Sequence, residues 1–170
     1  MKLKNICFLI LAVTSSVFAQ NKKFVTSTKQ INLAINKWHN AAATANYNDY
    51  FNLMTDNAIF IGTDATENWN KKAFEVFAKP HFDKGKAWAF YPLERNVFID
   101  KTGKIAWFDE LLDTSFKICR GSGVLEKTKN GWKISHYTLS FTIPNDISKE
   151  VVSAKSDIES ALIKELKAKN

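Results

Sequence analysis

Cysteine is nearly absent from this chain, with two in 170 residues. Cys7 lies in the apolar opening segment, so Cys119 stands alone and no internal disulfide can staple the fold. A lone, non-catalytic cysteine of this kind is read as buried packing. Histidine is also scarce. His39, His81 and His136 fall at no ligand spacing, which argues against a zinc site, and no other metal or cofactor is implied. The six glycines build neither a phosphate loop nor a nucleophile elbow. Gly121-Ser122-Gly123 leads onward into more strand, so Ser122 is not read as a nucleophile. The formal charge of +7 is mild and scattered, with no basic stripe interleaved with aromatics, so nucleic acid is not expected as a partner.

Long apolar runs are missing too, except at the start. There, MKLKN is basic, ICFLILAV is apolar, and Val17-Phe18-Ala19 is a small-x-small pattern. This is the layout of a secretory signal peptide cleaved after Ala19. A retained anchor is the alternative, although the run is short for a bilayer span. Cleavage implies a periplasmic or secreted protein with no membrane attachment. The expected organisation is a signal peptide at 1–19, a flexible arm at 20–27, one domain at 28–145 and a helical extension at 146–170.

Aromatic and aliphatic residues are plentiful. Ile31, Ala34, Ile35, Trp38, Ala41, Ala42 and Ala45 recur at three- and four-residue steps, which predicts a helix capped by Thr28. A second short helix is expected near Asn48–Met54, and a strand at Ala58–Gly62. A third helix, capped by Asn70, should end before Pro80, which places His81 in a loop. Four strands follow: AWAFYPLERNVFID, KIAWFDELLD, FKICRGSGVLEK and GWKISHYTLSFTI. Val151, Val152, Ile158, Leu162 and Leu166 make one side of a terminal helix. Helices first and antiparallel strands after define an α+β class.

The segments WHNAAATANYNDYFNLMTDNAIFIGTDATENW and RGSGVLEKTKNGWKISHYTLSF, with AWFDELL between them, resemble the SnoaL-like and ketosteroid-isomerase-like branch of the nuclear transport factor 2-like superfamily. The resemblance covers Thr28 to Asn145. It implies a cone, with helices packed inside a strongly curved antiparallel sheet that leaves a pocket. Such domains include isomerases, dehydratases, ligand binders and assembly modules, so fold does not fix function.

Strand registers set the expected faces. If Asn130-Gly131 is a two-residue turn, Gly121, Gly123, His136, Thr138 and Ser140 share one face, and Val124, Tyr137, Leu139 and Phe141 share the other. The preferred register of the preceding hairpin puts Glu110 opposite Arg120, and sets Trp107 and Asp109 beside Gly123 and Gly121. The next hairpin places either Arg95 or Glu94 opposite Asp109; one of these registers sets Val97 against Trp107.

The expected pocket is therefore lined by Trp38, Arg95, Val97, Trp107, Gly121, Gly123, Thr138 and Ser140. Asp109 is the candidate general base, because a carboxyl in an apolar pocket is poised for proton transfer. The alternative is a salt bridge from Asp109 to Arg95. His136 is the candidate partner acid or base, or else a satisfied rim histidine. Many relatives of this pattern carry a histidine where this chain has Thr138. Three functions stay open. One is binding of a small hydrophobic molecule by a homodimer joined through the convex sheet face. The others are a cofactor-independent isomerase or lyase, and an assembly module with a filled cone.

Overall fold

A computed structural model describes residues 25–169. The expected signal peptide, its expected cleavage site and most of the expected arm lie outside the described residues. Helix α1 is described over residues 25–43, so the arm's last residues, Val25 to Ser27, are already helical and Thr28 is not the cap. Ile31, Ile35, Trp38, Ala41 and Ala42 are buried, as the 3.6-residue period requires. The helix closes in a Schellman turn. Asn46 N–H donates to Ala41 O (2.7 Å), Ala45 N–H to Ala42 O (3.0 Å), and Ala45 takes the left-handed conformation at φ 52°.

Helix α2 (Tyr47–Asn52) is capped by the Asn46 side chain and buries Tyr50 and Phe51. Strand β1 (Met54–Ile61) and the three-residue β2 (Asn68–Asn70) follow; β2 is not among the strands expected from the sequence. Helix α3 (Lys71–Asp83) is capped by Asn70, whose Oδ1 accepts from Ala73 N–H at 2.9 Å. It runs through Pro80 instead of stopping before it, and so contains His81. Proline removes the hydrogen bond to the Val76 carbonyl. Val76 is exposed, so water can satisfy that oxygen, while Phe82 beyond the proline is buried and holds the last turn down.

Strands β3 (Tyr91–Ile99), β4 (Ile105–Thr114), β5 (Lys117–Thr128) and β6 (Gly131–Phe141) complete the sheet. The order is β2-β1-β6-β5-β4-β3, and β1 runs parallel to β6, so the sheet is mixed and not purely antiparallel. A 3₁₀ turn (Asn145–Ile147) leads into helix α4 (Ser148–Lys169). The chain divides into two compact units between Ser140 and Phe141.

The registers of the first two hairpins and the position of the last turn differ from the expected ones, each by a local device. Between β3 and β4 the Asp100 carboxylate gathers Thr102 N–H (3.0 Å), Lys104 N–H (3.0 Å) and Ile105 N–H (2.9 Å) into a longer loop. Arg95 therefore faces Glu110, and Phe98 faces Trp107. Between β4 and β5 the loop shrinks to Ser115-Phe116, because Lys117 accepts φ 67° and Thr114 Oγ1 takes the Phe116 N–H. Glu110 then faces Gly121, and Asp109 faces Ser122. The last turn is Lys129-Asn130, with Gly131 at φ 103° already in β6. Within β6, Ile134 and Tyr137 are both buried although three apart, so alternation breaks between them. Tyr137 and Leu139 turn into the core, and His136, Thr138 and Ser140 turn away from it.

Candidate functional site

The inward positions of β4 are Ala106, Phe108, Glu110 and Leu112, all buried. One of the four is a carboxylate, with its side chain wholly enclosed. Glu110 Oε1 accepts from His39 Nε2 at 2.7 Å and from the Tyr137 hydroxyl at 3.2 Å. Its Oε2 accepts from Arg95 Nε at 2.8 Å, with Nη2 at 2.7 Å. Arg95 Nη1 reaches back to Asn36 (2.7 Å) and Asn32 (3.3 Å), one turn apart on α1. A polar stripe of Asn32, Asn36 and His39 thus runs beside the apolar stripe of α1 and meets the sheet at one buried charge. Burial pushes the Glu110 carboxyl up, but the His39 hydrogen bond and charge, with Arg95, outweigh it and hold the group below its ordinary value. Burial, and then the Glu110 charge, push the Tyr137 phenol well up.

Gly121 and Gly123 provide the room for this cluster. A Cβ on Gly121 would overlap the Tyr137 hydroxyl and stand 3.0 Å from Glu110 Cγ. One on Gly123 would stand 2.6 Å from the His136 carbonyl and 2.8 Å from Phe108. The bare backbone in CRGSGVLEK admits a buried glutamate and tyrosine, not Trp107 and Asp109.

The open cavity is elsewhere, and its volume is about 660 Å³. It lies between the end of β1, α3, the segment 84–90 and the β4–β5 turn. Its wall is aromatic, with Phe60, Trp69, Phe74, Phe77, Trp88 and Phe90. Trp69 stacks on Phe77 (4.4 Å between ring centres), and Phe74 lies nearly parallel to Trp88 (5.7 Å). Stacked and edge-on rings of this kind hold one another rigidly. Glu67, His81, Lys86, Tyr91 and Asp113 supply its charged or titratable groups.

None of the residues expected to form the pocket lines this cavity. Asp109 lies on the outer face, accepting from Asn96 Nδ2 at 3.2 Å, with Arg120 at 4.0 Å. Arg120 points outward as expected but meets Asp109 and not Glu110. Trp107 is 46% exposed and stacked on Phe98 at 5.8 Å. His136 and Thr138 are half-buried on the face opposite Tyr137, and Ser140 is exposed. Val97 packs against the core from the Arg95 strand, and Arg95 belongs to the Glu110 cluster. Trp38 is buried one ring behind the wall, 6.3 Å from Phe60. Gly121 and Gly123 lie beneath the buried cluster. Asp109 and His136 are therefore placed neither in the cavity nor in contact with the buried carboxylate.

Residues 31–144 match the SnoaL-like domain, and the chain belongs to that family. Solved structures share the fold at low identity. A candidate dehydratase of the NTF2-like family from Streptomyces avermitilis is 12% identical with a TM-score of 0.62, over 70% of this chain and 98% of that one. An NTF2-like protein with a cystatin-like fold from Novosphingobium aromaticivorans gives 9% and 0.60, over 79% and 94%. A candidate calcium/calmodulin-dependent kinase II association domain from Exiguobacterium sibiricum gives 13% and 0.54, over 69% and 95%. No functionally curated protein matches the sequence.

Proposed function

We propose that this SnoaL-like protein is exported and binds a small hydrophobic molecule in the aromatic cavity. The observation that carries this reading is the cavity itself: about 660 Å³, walled by aromatic rings and bordered by a few polar groups. That is the size and lining of a small-molecule site. Binding is favoured over proton transfer because Glu110, the enclosed carboxylate, is already engaged by His39, Arg95 and Tyr137, and does not line the cavity. Export rests on the opening segment, and mass spectrometry of the secreted chain should find Gln20 at its N-terminus.

A homodimer through the outer sheet face is part of the same reading. The apolar surface there differs from the expected one, since Tyr137 and Leu139 are core residues. Phe98, Trp107 and Ile105 are exposed instead. Sedimentation velocity should give the mass of two chains; a single chain at micromolar concentration would remove this part.

The cavity is tested with Nile red, a neutral apolar fluorophore. Saturable one-to-one binding is expected. Thr63→Trp, which places an indole at a lining position, should weaken it at least tenfold with the melting temperature held. Equal binding by the variant would place the dye elsewhere.

A further inference from the structure

We propose that the preferred occupant of the aromatic cavity is a hydrophobic organic cation, an ammonium carried on an apolar body. The inference rests on the cavity being a ligand site and adds the charge of the ligand.

Glu67 is an anionic group built into the cavity wall. It lines the cavity and its side chain is fixed there, because its carboxylate lies against the backbone of Gly62, also a lining residue. A Cβ at Gly62 would fall on Glu67 Oε2 and stand 3.0 Å from its Cδ, so only glycine leaves this niche open. Among the described residues, the one hydrogen bond to the carboxylate comes from Asp64 N–H at 3.2 Å. It has no ion-pair partner among the described residues. The second acidic residue is Asp113, an exposed position near the end of β4 that also lines the cavity; its side chain has neither a hydrogen bond nor an ion pair among the described residues.

Two carboxylates without an ion-pair partner among the described residues border the space, Glu67 and the exposed Asp113, against one cation, Lys86, with His81 counted neutral. The local balance is negative on a chain whose formal charge is +7. The wall reinforces that sign. The faces of Trp, Tyr and Phe rings are the negative ends of their quadrupoles, and ring-lined sites with a nearby carboxylate hold ammonium groups. Trp69 and Trp88, the ring type with the strongest pull on a cation, both line the space. A neutral hydrocarbon would gain only the apolar contact, and an anion would meet Glu67, Asp113 and the ring faces together.

Three isosteric probes separate the possibilities: phenyltrimethylammonium, tert-butylbenzene and benzenesulfonate, each titrated calorimetrically into the full exported chain. The cation should bind at least tenfold more tightly than the hydrocarbon, and the anion most weakly. Glu67→Gln keeps an acceptor for Asp64 N–H and should reduce the ratio of cation to hydrocarbon affinity about threefold or more. Gly62→Ala, which displaces the carboxylate without removing it, should act in the same direction. Hydrocarbon binding equal to or tighter than the cation overturns the charge assignment and leaves the cavity reading standing. Tightest binding by the sulfonate also overturns it and assigns the site to Lys86 and His81. Failure of all three probes to bind at millimolar concentration overturns both readings.

Discussion

Replacing Glu110 with alanine is expected to destabilise the fold by about 3–5 kcal/mol, measured as the loss of urea stability at pH 7. The carboxylate itself is not a source of large net stability, because burying an ion pair costs nearly what the attraction returns. The loss comes from what remains. Arg95, with its side chain 7% exposed, would keep its charge in the interior with no anion beside it. His39 and Tyr137 would lose a buried acceptor, and α1 would lose its polar tie to the sheet. The pH dependence follows from the same geometry. Glu110 is held below its ordinary value of 4.5, so the folded state binds its proton more weakly than the unfolded state does. Its contribution is present above about pH 4.5 and is lost as pH falls through the lower folded value. Wild type should therefore lose stability on acidification below that point, and Glu110→Gln should flatten this acid limb. An alanine variant within 1 kcal/mol of wild type would show that the cluster carries no structural weight.

Gly121→Ala should cost about 3 kcal/mol, at the upper end for one methyl forced into a packed interior. The added carbon meets the Tyr137 hydroxyl and the Glu110 side chain together, so relief requires breaking the hydrogen bond between those two side chains. The two substitutions share an atom and should not add. In a Glu110→Ala background the Gly121→Ala cost should fall by at least 1 kcal/mol, the signature of groups in direct contact. Full additivity in this double-mutant cycle would mean that the glycine serves only sheet curvature.

Much of the architecture is legible in the sequence because long-period signals are robust. The apolar stripe of α1, the Asn70 cap, the four long strands and the terminal helix all survive errors of one residue. The site is not robust in this way. In AWFDELLD both faces carry large apolar residues, so alternation alone does not say whether Trp107 and Asp109 or Phe108 and Glu110 point inward. The choice falls to the turns, and each differs by one residue through a device with a weak sequence signal: the Asp100 carboxylate, the positive φ of Lys117, the break between Ile134 and Tyr137. A one-residue step exchanges every side chain between the faces. One available signal was the stripe Asn32, Asn36, His39 beside the apolar face of α1, which calls for a buried polar partner. The cavity is harder to read. Its wall joins Trp69 of β2, Phe74 and Phe77 of α3, and Trp88 of an irregular segment, which only the folded chain brings together.

The central claim is that the cavity takes the ligand, while the glutamate cluster supports the fold and the outer face takes none. The five tryptophans make this directly readable, since each contributes one indole N–H resonance in a ¹H–¹⁵N spectrum. Trp69 and Trp88 line the cavity, Trp107 is on the outer face, and Trp38 and Trp132 are buried outside the lining. On saturation with Nile red, the Trp69 and Trp88 indole resonances should shift and that of Trp107 should stay. A shift at Trp107 with Trp69 and Trp88 unmoved would place the ligand on the outer face beside Asp109 and contradict the account.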